Sequence, residues 1–152
     1  MGRISAYGFS PAVLVDLRNS SGLSQVELAD RVGVGVATLR AWERGRKIPQ
    51  ADALGLLSAA LSDALKASVT VADLVDIPDE GRTLSDWRVL SALPQVEAAR
   101  RAGISPSHYG SIERGTSGVS DHTASLIAGA LNISVADVKA ASLCSQRVHR
   151  RN

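Results

Sequence analysis

The most reactive side chains of the sequence, three histidines and one cysteine, form no catalytic or metal-binding motif. His108, His122 and His149 lie at no metal-ligand spacing and have no cysteine partners. The single Cys144 excludes an intrachain disulfide and is expected to act as a small hydrophobe. Neither a phosphate-binding glycine loop nor a nucleophile elbow is present. We therefore expect no enzyme activity, no cofactor, no metal and no small-molecule substrate.

Basic side chains are the second group with binding chemistry, and their distribution is uneven. The formal net charge is only +2, although the isoelectric point is about 9.0. Residues 1–69 carry eight Lys or Arg against six acids, and residues 91–152 carry seven against four. Residues 70–90 carry five acids against two Arg. Two mildly basic blocks joined by an acidic connector are compatible with a nucleic-acid partner.

The chain repeats itself at an offset of 70 residues. Arg18–Ala29 superposes on Arg88–Ala99, and the match continues without a gap to Leu61 and Leu131. Both copies carry Gln-Val-Glu and, further on, Glu-Arg-Gly, a combination that chance rarely places at one offset. The repeat predicts two small units. The identical pairs include Leu23/Leu93, Gln25/Gln95, Val26/Val96, Glu27/Glu97, Ala29/Ala99, Arg31/Arg101, Gly33/Gly103, Glu43/Glu113, Arg44/Arg114 and Gly45/Gly115.

The first copy is predicted to form four or five short helices. Pro11 is typical of a first helical position, and Gly22 ends that helix. Ser24 and Glu27 predict a capping box that opens a second helix, which Gly33 ends in a left-handed conformation. The remaining helices are expected at about residues 36–43, 51–66 and 71–75.

The second copy repeats this arrangement, so the fold class is predicted to be all-α. Ser85 is expected to cap helix one, residues 95–102 form helix two, and Ser105 with Pro106 opens helix three. The last helix is expected near residues 135–141. The predicted organisation is an N-terminal arm (1–9), a first domain (10–78), a linker (79–83), a second domain (84–142) and a basic C-terminal tail (143–152).

The segment from Leu23 to Pro49, LSQVELADRVGVGVATLRAWERGRKIP, resembles the Cro/lambda-repressor-like (XRE) helix-turn-helix family. The second copy resembles it less closely, through the stretch from Pro94 to Ser107 and through Ile112–Gly115. This resemblance implies two helix-turn-helix domains in tandem, with helix three of each in the major groove of DNA and helix two across the backbone. It also implies that Gln25 and Gln95 donate to phosphates. Finally, it implies structural ion pairs, Arg18 with Glu43 and Arg88 with Glu113.

Base reading is expected from the exposed side of helix three. In the first unit Arg40 is the only long donor there, and it suits guanine O6 and N7; a solvated surface charge or a phosphate contact is the alternative. The small residues beside it either touch apolar base features or only permit close approach. The predicted base-contacting residues are Val36, Ala37, Arg40 and Ala41 in the first unit, and Pro106, Ser107, His108 and Ser111 in the second.

The second unit departs from the pattern, since Gly110 stands at the position of Arg40 and Pro94 at that of Ser24. It is expected to read fewer bases directly. Backbone contacts supply most of the affinity. The predicted phosphate donors are Gln25, Thr38, Arg44, Arg46 and Lys47, and then Gln95, Ser105, Arg114 and Ser117. Arg3 and the tail from residue 146 either reach DNA or are solvated. Leu56, Leu57, Leu126 and Ile127 are expected in the core.

The function predicted from these features is a sequence-specific repressor of the phage- or plasmid-immunity or host-regulator type, bound to a double-stranded DNA operator. Two different readers in one chain suit an asymmetric site, with recognition helices about one helical turn, ~34 Å, apart. The alternative is an antitoxin or adaptor whose second unit binds a protein. We expect a cytoplasmic, nucleoid-associated protein without a membrane partner, and both a monomer and a homodimer are compatible with the sequence.

Overall fold

In the computed structural model, which describes residues 8–152, the regular elements are helices, accompanied by one isolated β-bridge between Phe9 and Val75. The all-α prediction is therefore confirmed. The chain divides into two units between Ile77 and Pro78.

Unit 1 consists of five helices, and local signals account for their ends. The predicted capping box is confirmed: Ser24 accepts from the Glu27 amide while the Glu27 carboxylate accepts from the Ser24 amide. Gly22 and Gly33 end their helices at φ 75° and 81°, a conformation that favours glycine. The helices are α1 (Pro11–Ser21), α2 (Gln25–Val32), α3 (Val36–Glu43), α4 (Ala51–Leu65) and α5 (Val71–Leu74).

The core of unit 1 forms where the apolar sides of these helices meet. Leu14, Leu28, Leu39, Leu57 and others from all five helices are buried. Leu56 was expected in the core, but 51% of its surface is exposed. Positions 56 and 57 are neighbours on α4 and point in different directions, so only one of them reaches the core.

Phe9 belongs to unit 1 rather than to a free arm. Its side chain is buried, and its segment pairs with the end of α5: Ser10 N donates to Leu74 O (3.0 Å) and Asp76 N donates to Gly8 O (2.8 Å). The predicted arm at 1–9 is therefore wrong for residues 8 and 9. Residues 1–7 of that arm, Arg3 among them, lie outside the described residues.

Unit 2 begins with a helix that is shorter than its counterpart in unit 1. The helices are α6 (Leu84–Leu90), α7 (Gln95–Ala102), α8 (Pro106–Arg114), α9 (Asp121–Leu131) and α10 (Val135–Arg151). The N-cap of α6 is Thr83, which forms a capping box with Asp86, and not the predicted Ser85. Thr83 is thus part of the domain and not of a linker. Arg82, just before it, stacks on the Trp87 ring at 4.6 Å.

The core of unit 2 places Tyr109 where unit 1 has Leu39, and the ring is fully buried. Burial, reinforced by the nearby Glu113 carboxylate, raises the pKa of the Tyr109 hydroxyl well above its usual value. The phenol therefore stays neutral in the core beneath α8. Ile127 is buried as predicted, and Leu126 packs against the edge of the same core.

Residues 143–152, predicted as a tail, instead continue α10 as far as Arg151. Ser142 and Ser145 are buried, and Ser145 Oγ accepts from the Leu84 amide (3.4 Å). Helix α10 can extend over this region because α6 is shorter than α1. In unit 1 the first turn of α1 lies beside the end of α3, where Pro11 Cγ is 3.4 Å from the ideal Cβ position of Gly45. In unit 2 that place is filled by α10, whose Ser145 backbone covers Gly115.

Among residues 8–152, no single helix is long and apolar enough to cross a membrane. Helices α9 and α10 meet the criteria of length and composition only when joined, across a bend of 105°.

The contact between Gly115 and α10 generates a stability prediction. A Cβ at Gly115 would lie 2.3 Å from Ser145 O, and φ is +80°. Gly103 in the same unit has φ +70° and nothing within 4 Å of its ideal Cβ position. Gly103→Ala should therefore cost only the conformational strain, about 1–2 kcal/mol, whereas Gly115→Ala should cost clearly more because the α10 backbone must also move.

Urea unfolding followed by the indole N–H signals of Trp87 and Trp42 measures the two units separately. Only the Trp87 transition should shift, and it should shift further for Gly115→Ala. Equal shifts for the two variants would show that the close contact between Gly115 and the α10 backbone does not affect the stability of unit 2.

Candidate nucleic-acid interface

The candidate interface of unit 1 is the outward side of α3. Leu39 and Trp42 are buried beneath the helix, whereas Ala37 and Arg40 are exposed, and Val36 and Ala41 are half-buried. The four predicted base-contacting residues thus share one accessible side. A shallow depression there is lined by Ala37, Arg40, Ala41, Arg44 and Arg46. Three guanidinium groups around small side chains make this surface positive and open to close approach.

A buried ion pair between Arg18 of α1 and Glu43 of α3 holds α3 on its inner side. Arg18 Nε lies 2.5 Å from Glu43 Oε1, and Arg18 Nη2 lies 3.3 Å from Glu43 Oε2. The two side chains are only 13% and 5% exposed. Arg18 Nη1 also donates to Leu23 O (3.1 Å) in the turn before α2. One guanidinium thereby connects α1, the turn before α2 and the end of α3.

Unit 2 contains the corresponding pair. Arg88 Nε donates to Glu113 Oε2 (2.8 Å), Arg88 Nη2 donates to Glu113 Oε1 (3.0 Å), and Arg88 Nη1 donates to Leu93 O (2.8 Å). Both side chains are 9% exposed. The structure therefore brings together both pairs that the family resemblance implied, with the same connections in each unit.

Gln25 links the ion pair to the surface of unit 1. Its Nε2 donates to Glu43 Oε2 (2.6 Å), and its Oε1 accepts from Arg40 Nε (3.1 Å). Sequence reasoning assigned Gln25 only to a phosphate and missed this role. The sequence does contain a signal for this contact, because Gln and Glu are 18 residues apart in both copies. A carboxamide has two N–H donors, so one remains for a phosphate.

Gln95 repeats the inner half of this arrangement, since its Nε2 donates to Glu113 Oε1 (3.3 Å). Above it, Pro106, Ser107 and His108 are exposed on the first turn of α8, and Ser111 is half-buried. Gly110, which stands where unit 1 has Arg40, is buried beneath the Arg114 side chain. The outer surface of α8 thus has two short side chains and an imidazole at its start and a guanidinium at its end.

A helix-turn-helix family model matches residues 14–62 and, a second time, residues 84–138, which together are more than half of the chain. The chain belongs to the XRE, or lambda-repressor-like, helix-turn-helix family. It is therefore a DNA-binding transcriptional regulator of the XRE type. Comparison with curated proteins and with solved structures gave no match.

The predicted phosphate donors of the first XRE unit surround its recognition helix. Arg44, Arg46 and Lys47 are exposed after the end of α3, and Thr38 is half-buried within it. In the second XRE unit, Ser105 Oγ caps α8 by accepting from the His108 amide (3.1 Å), and Ser117 Oγ donates to Gly118 O (3.3 Å). Arg114 is exposed.

The second XRE unit also differs at helix two. Pro94 has no hydroxyl to complete a capping box, and Glu97 instead accepts from Arg100 Nη2 (2.6 Å) and Arg101 Nε (3.1 Å). These hydrogen bonds, first from Arg100 and then from Arg101, lower the pKa of Glu97 to about 2. The two arginines on α7 are thereby held on their own helix.

Breaking the buried pair in the first XRE unit should be costly. Glu43→Gln removes the charge but keeps the size of the side chain, leaving Arg18 buried without a counter-charge. We expect a loss of about 2–4 kcal/mol in the free energy of unfolding of unit 1, measured by urea titration of the Trp42 signal.

Asp63→Asn is the matched control in the same unit, because it removes one carboxylate from an exposed pair with Arg31. Its expected cost is less than about 1 kcal/mol. If Glu43→Gln is no worse than this control, the pair does not hold α3 in place.

Proposed function

We propose that this protein is a sequence-specific repressor that binds double-stranded DNA through α3 and α8 in the major groove. The observation that carries the proposal is the difference between the inner and the outer side of these helices. Each is fastened on its inner side by a buried Arg–Glu pair and leaves its outer side accessible. A rigidly held helix with a free outer surface is what major-groove readout requires.

Arg40 is the proposed base-reading donor of unit 1. Its Nε donates to Gln25 Oε1, and its two terminal amino groups carry the other four of the five N–H donors of the guanidinium. A guanidinium can make a bidentate contact with guanine O6 and N7. Val36, Ala37 and Ala41 beside it are small, so the helix can approach the bases closely and touch a thymine methyl.

Phosphate contacts are the proposed role of the donors around each recognition helix. They neutralise backbone charge and position the protein without selecting a sequence. In unit 1 these are Gln25, Thr38, Arg44, Arg46 and Lys47. In unit 2 Gln95, Ser105 and Ser117 take this role.

Repression requires little more than DNA binding, because a protein that occupies an operator excludes other proteins from it. The two recognition helices carry different residues, and this favours an asymmetric operator over a palindrome. Control of phage or plasmid immunity and control of a host gene are both settings for such a repressor.

Selection of bound sequences from random duplex DNA, followed by salt titrations, tests the proposal. Arg40→Ala should relax the selected motif at one position, with about 1–3 kcal/mol of discrimination lost there. Arg44→Ala should instead weaken binding to every duplex and reduce the slope of log K against log salt by about one.

The two arginines are four residues apart on one surface and lose the same charge when replaced, so each controls for the other. Uniform weakening by Arg40→Ala would show that Arg40 does not read a base. A wild-type chain that selects no motif would contradict sequence-specific binding altogether.

A further inference from the structure

The guanidinium of Arg114 lies over Gly110, at the position where unit 1 carries the Arg40 side chain. A Cβ built on Gly110 would be 3.0 Å from Arg114 Nη1 and 3.8 Å from Arg114 Cζ. Positions 110 and 40 correspond in the repeat. Unit 2 therefore has an arginine head group at this part of its recognition surface, although its sequence has glycine there.

Helix geometry explains how Arg114 reaches this place. Side chains on an α-helix lean towards its N-terminus, so a residue at i+4 lies over residue i. Glycine is disfavoured inside a helix, because it loses more conformational freedom than alanine. At position 110 it leaves space for the guanidinium, which would have to shift by a few tenths of an ångström if a Cβ were present.

The surroundings of the two guanidinium groups are alike. In unit 1, Arg40 Nε donates to Gln25 Oε1 (3.1 Å). In unit 2, Gln95 Oε1 lies 3.7 Å from the ideal Cβ position of Gly110 and Arg114 Nη1 lies 3.0 Å from it, while Gln95 Nε2 donates to Glu113. In each unit a carboxamide oxygen of helix two thus lies beside this part of the surface, and in unit 1 it accepts from the guanidinium.

Ser111 orders the same group from the other side. Arg114 Nη2 lies 3.4 Å from Ser111 Oγ, and Ser111 Oγ donates to Ser107 O (3.0 Å). Pro106, Ser107 and Ser111 are all short, so the long polar side chains on this part of α8 are Arg114 and the exposed His108. Of these two, Arg114 alone carries the planar fork that suits a bidentate contact. Arg44, the counterpart of Arg114 in unit 1, has Arg40 and not glycine one turn before it.

We propose that Arg114 is the base-reading donor of unit 2, contacting a guanine edge in the major groove from its seat over Gly110. This inference rests on the proposed function. It replaces the expectation that Arg114 contacts a phosphate and that the second unit reads bases only weakly.

The experiment is selection from random duplex DNA with the full-length wild-type chain, Arg114→Lys and Gly110→Ala. Arg114→Lys keeps the positive charge but loses the planar fork that binds guanine bidentately. Gly110→Ala keeps Arg114 itself and favours the helix, but its Cβ would be 3.0 Å from Arg114 Nη1, so the guanidinium must shift by a few tenths of an ångström. Thermal unfolding of each variant shows that unit 2 is folded.

We expect a motif with two parts, one of which loses its guanine preference in Arg114→Lys and keeps a weaker preference in Gly110→Ala. On the wild-type motif, the affinity ratio between guanine and its replacement at that position should fall by about 5- to 150-fold in Arg114→Lys and by less in Gly110→Ala. Arg40→Ala should relax the other part only. Unchanged selectivity in Arg114→Lys and Gly110→Ala, with the Arg40-dependent part intact, overturns this inference and leaves the proposed function standing. A wild-type chain that selects no motif overturns both.

Discussion

The buried ion pair between helix one and the end of the recognition helix is the constraint on which each unit depends. A charge removed from water must be paired and hydrogen-bonded, or its burial is strongly unfavourable. Arg18 and Arg88 meet this condition in the same way, with a bidentate carboxylate and one backbone carbonyl. Because these bonds are directional, they restrict the orientation of α3 relative to α1 and of α8 relative to α6.

The same pair organises the proposed DNA-facing surface through the helix-two glutamines. Gln25 bonds inward to Glu43 and outward to Arg40, so a continuous set of hydrogen bonds runs from the buried pair to the proposed base reader. Gln95 bonds inward to Glu113, and its oxygen lies 3.7 Å from the ideal Cβ position of Gly110. A structural pair and a recognition surface are therefore parts of one network, and a change at the pair should disturb the orientation of the reader.

Much of the fold could be predicted because its signals are local. Ser24 and Glu27 specify a helix start within four residues, and Gly33 and Gly103 specify helix ends. The 70-residue offset identifies the equivalent positions of the two units, and the family resemblance implied the two Arg–Glu pairs. The features that sequence reasoning missed depend on tertiary contacts. The length of α10 follows from its packing on Gly115, and the place of Phe9 follows from its pairing beside Val75. Arg114 lies over Gly110, a position that has no side chain, and the sequence alone predicts there only the loss of a donor.

The two units solve the same packing problem with different parts. Unit 1 completes its core with Phe9 and the first turn of α1, and unit 2 with Tyr109 and a long α10. The recognition surfaces also differ. In unit 1 the guanidinium belongs to Arg40, in the middle of α3, whereas in unit 2 it belongs to Arg114, the last residue of α8, whose side chain lies over Gly110. Divergence of this kind keeps the inner scaffold and changes the sequence that each unit is proposed to read.

The most direct test of the account is an NMR titration of the ¹⁵N-labelled chain with the duplex recovered by selection. We predict that the largest shifts fall on the amides of α3 and α8 and on the Nε–H signals of Arg40 and Arg114. Signals of the exposed sides of α4 and α9 should change little. Shifts concentrated on α4, α9 or α10, with α3 and α8 unaffected, would contradict the account.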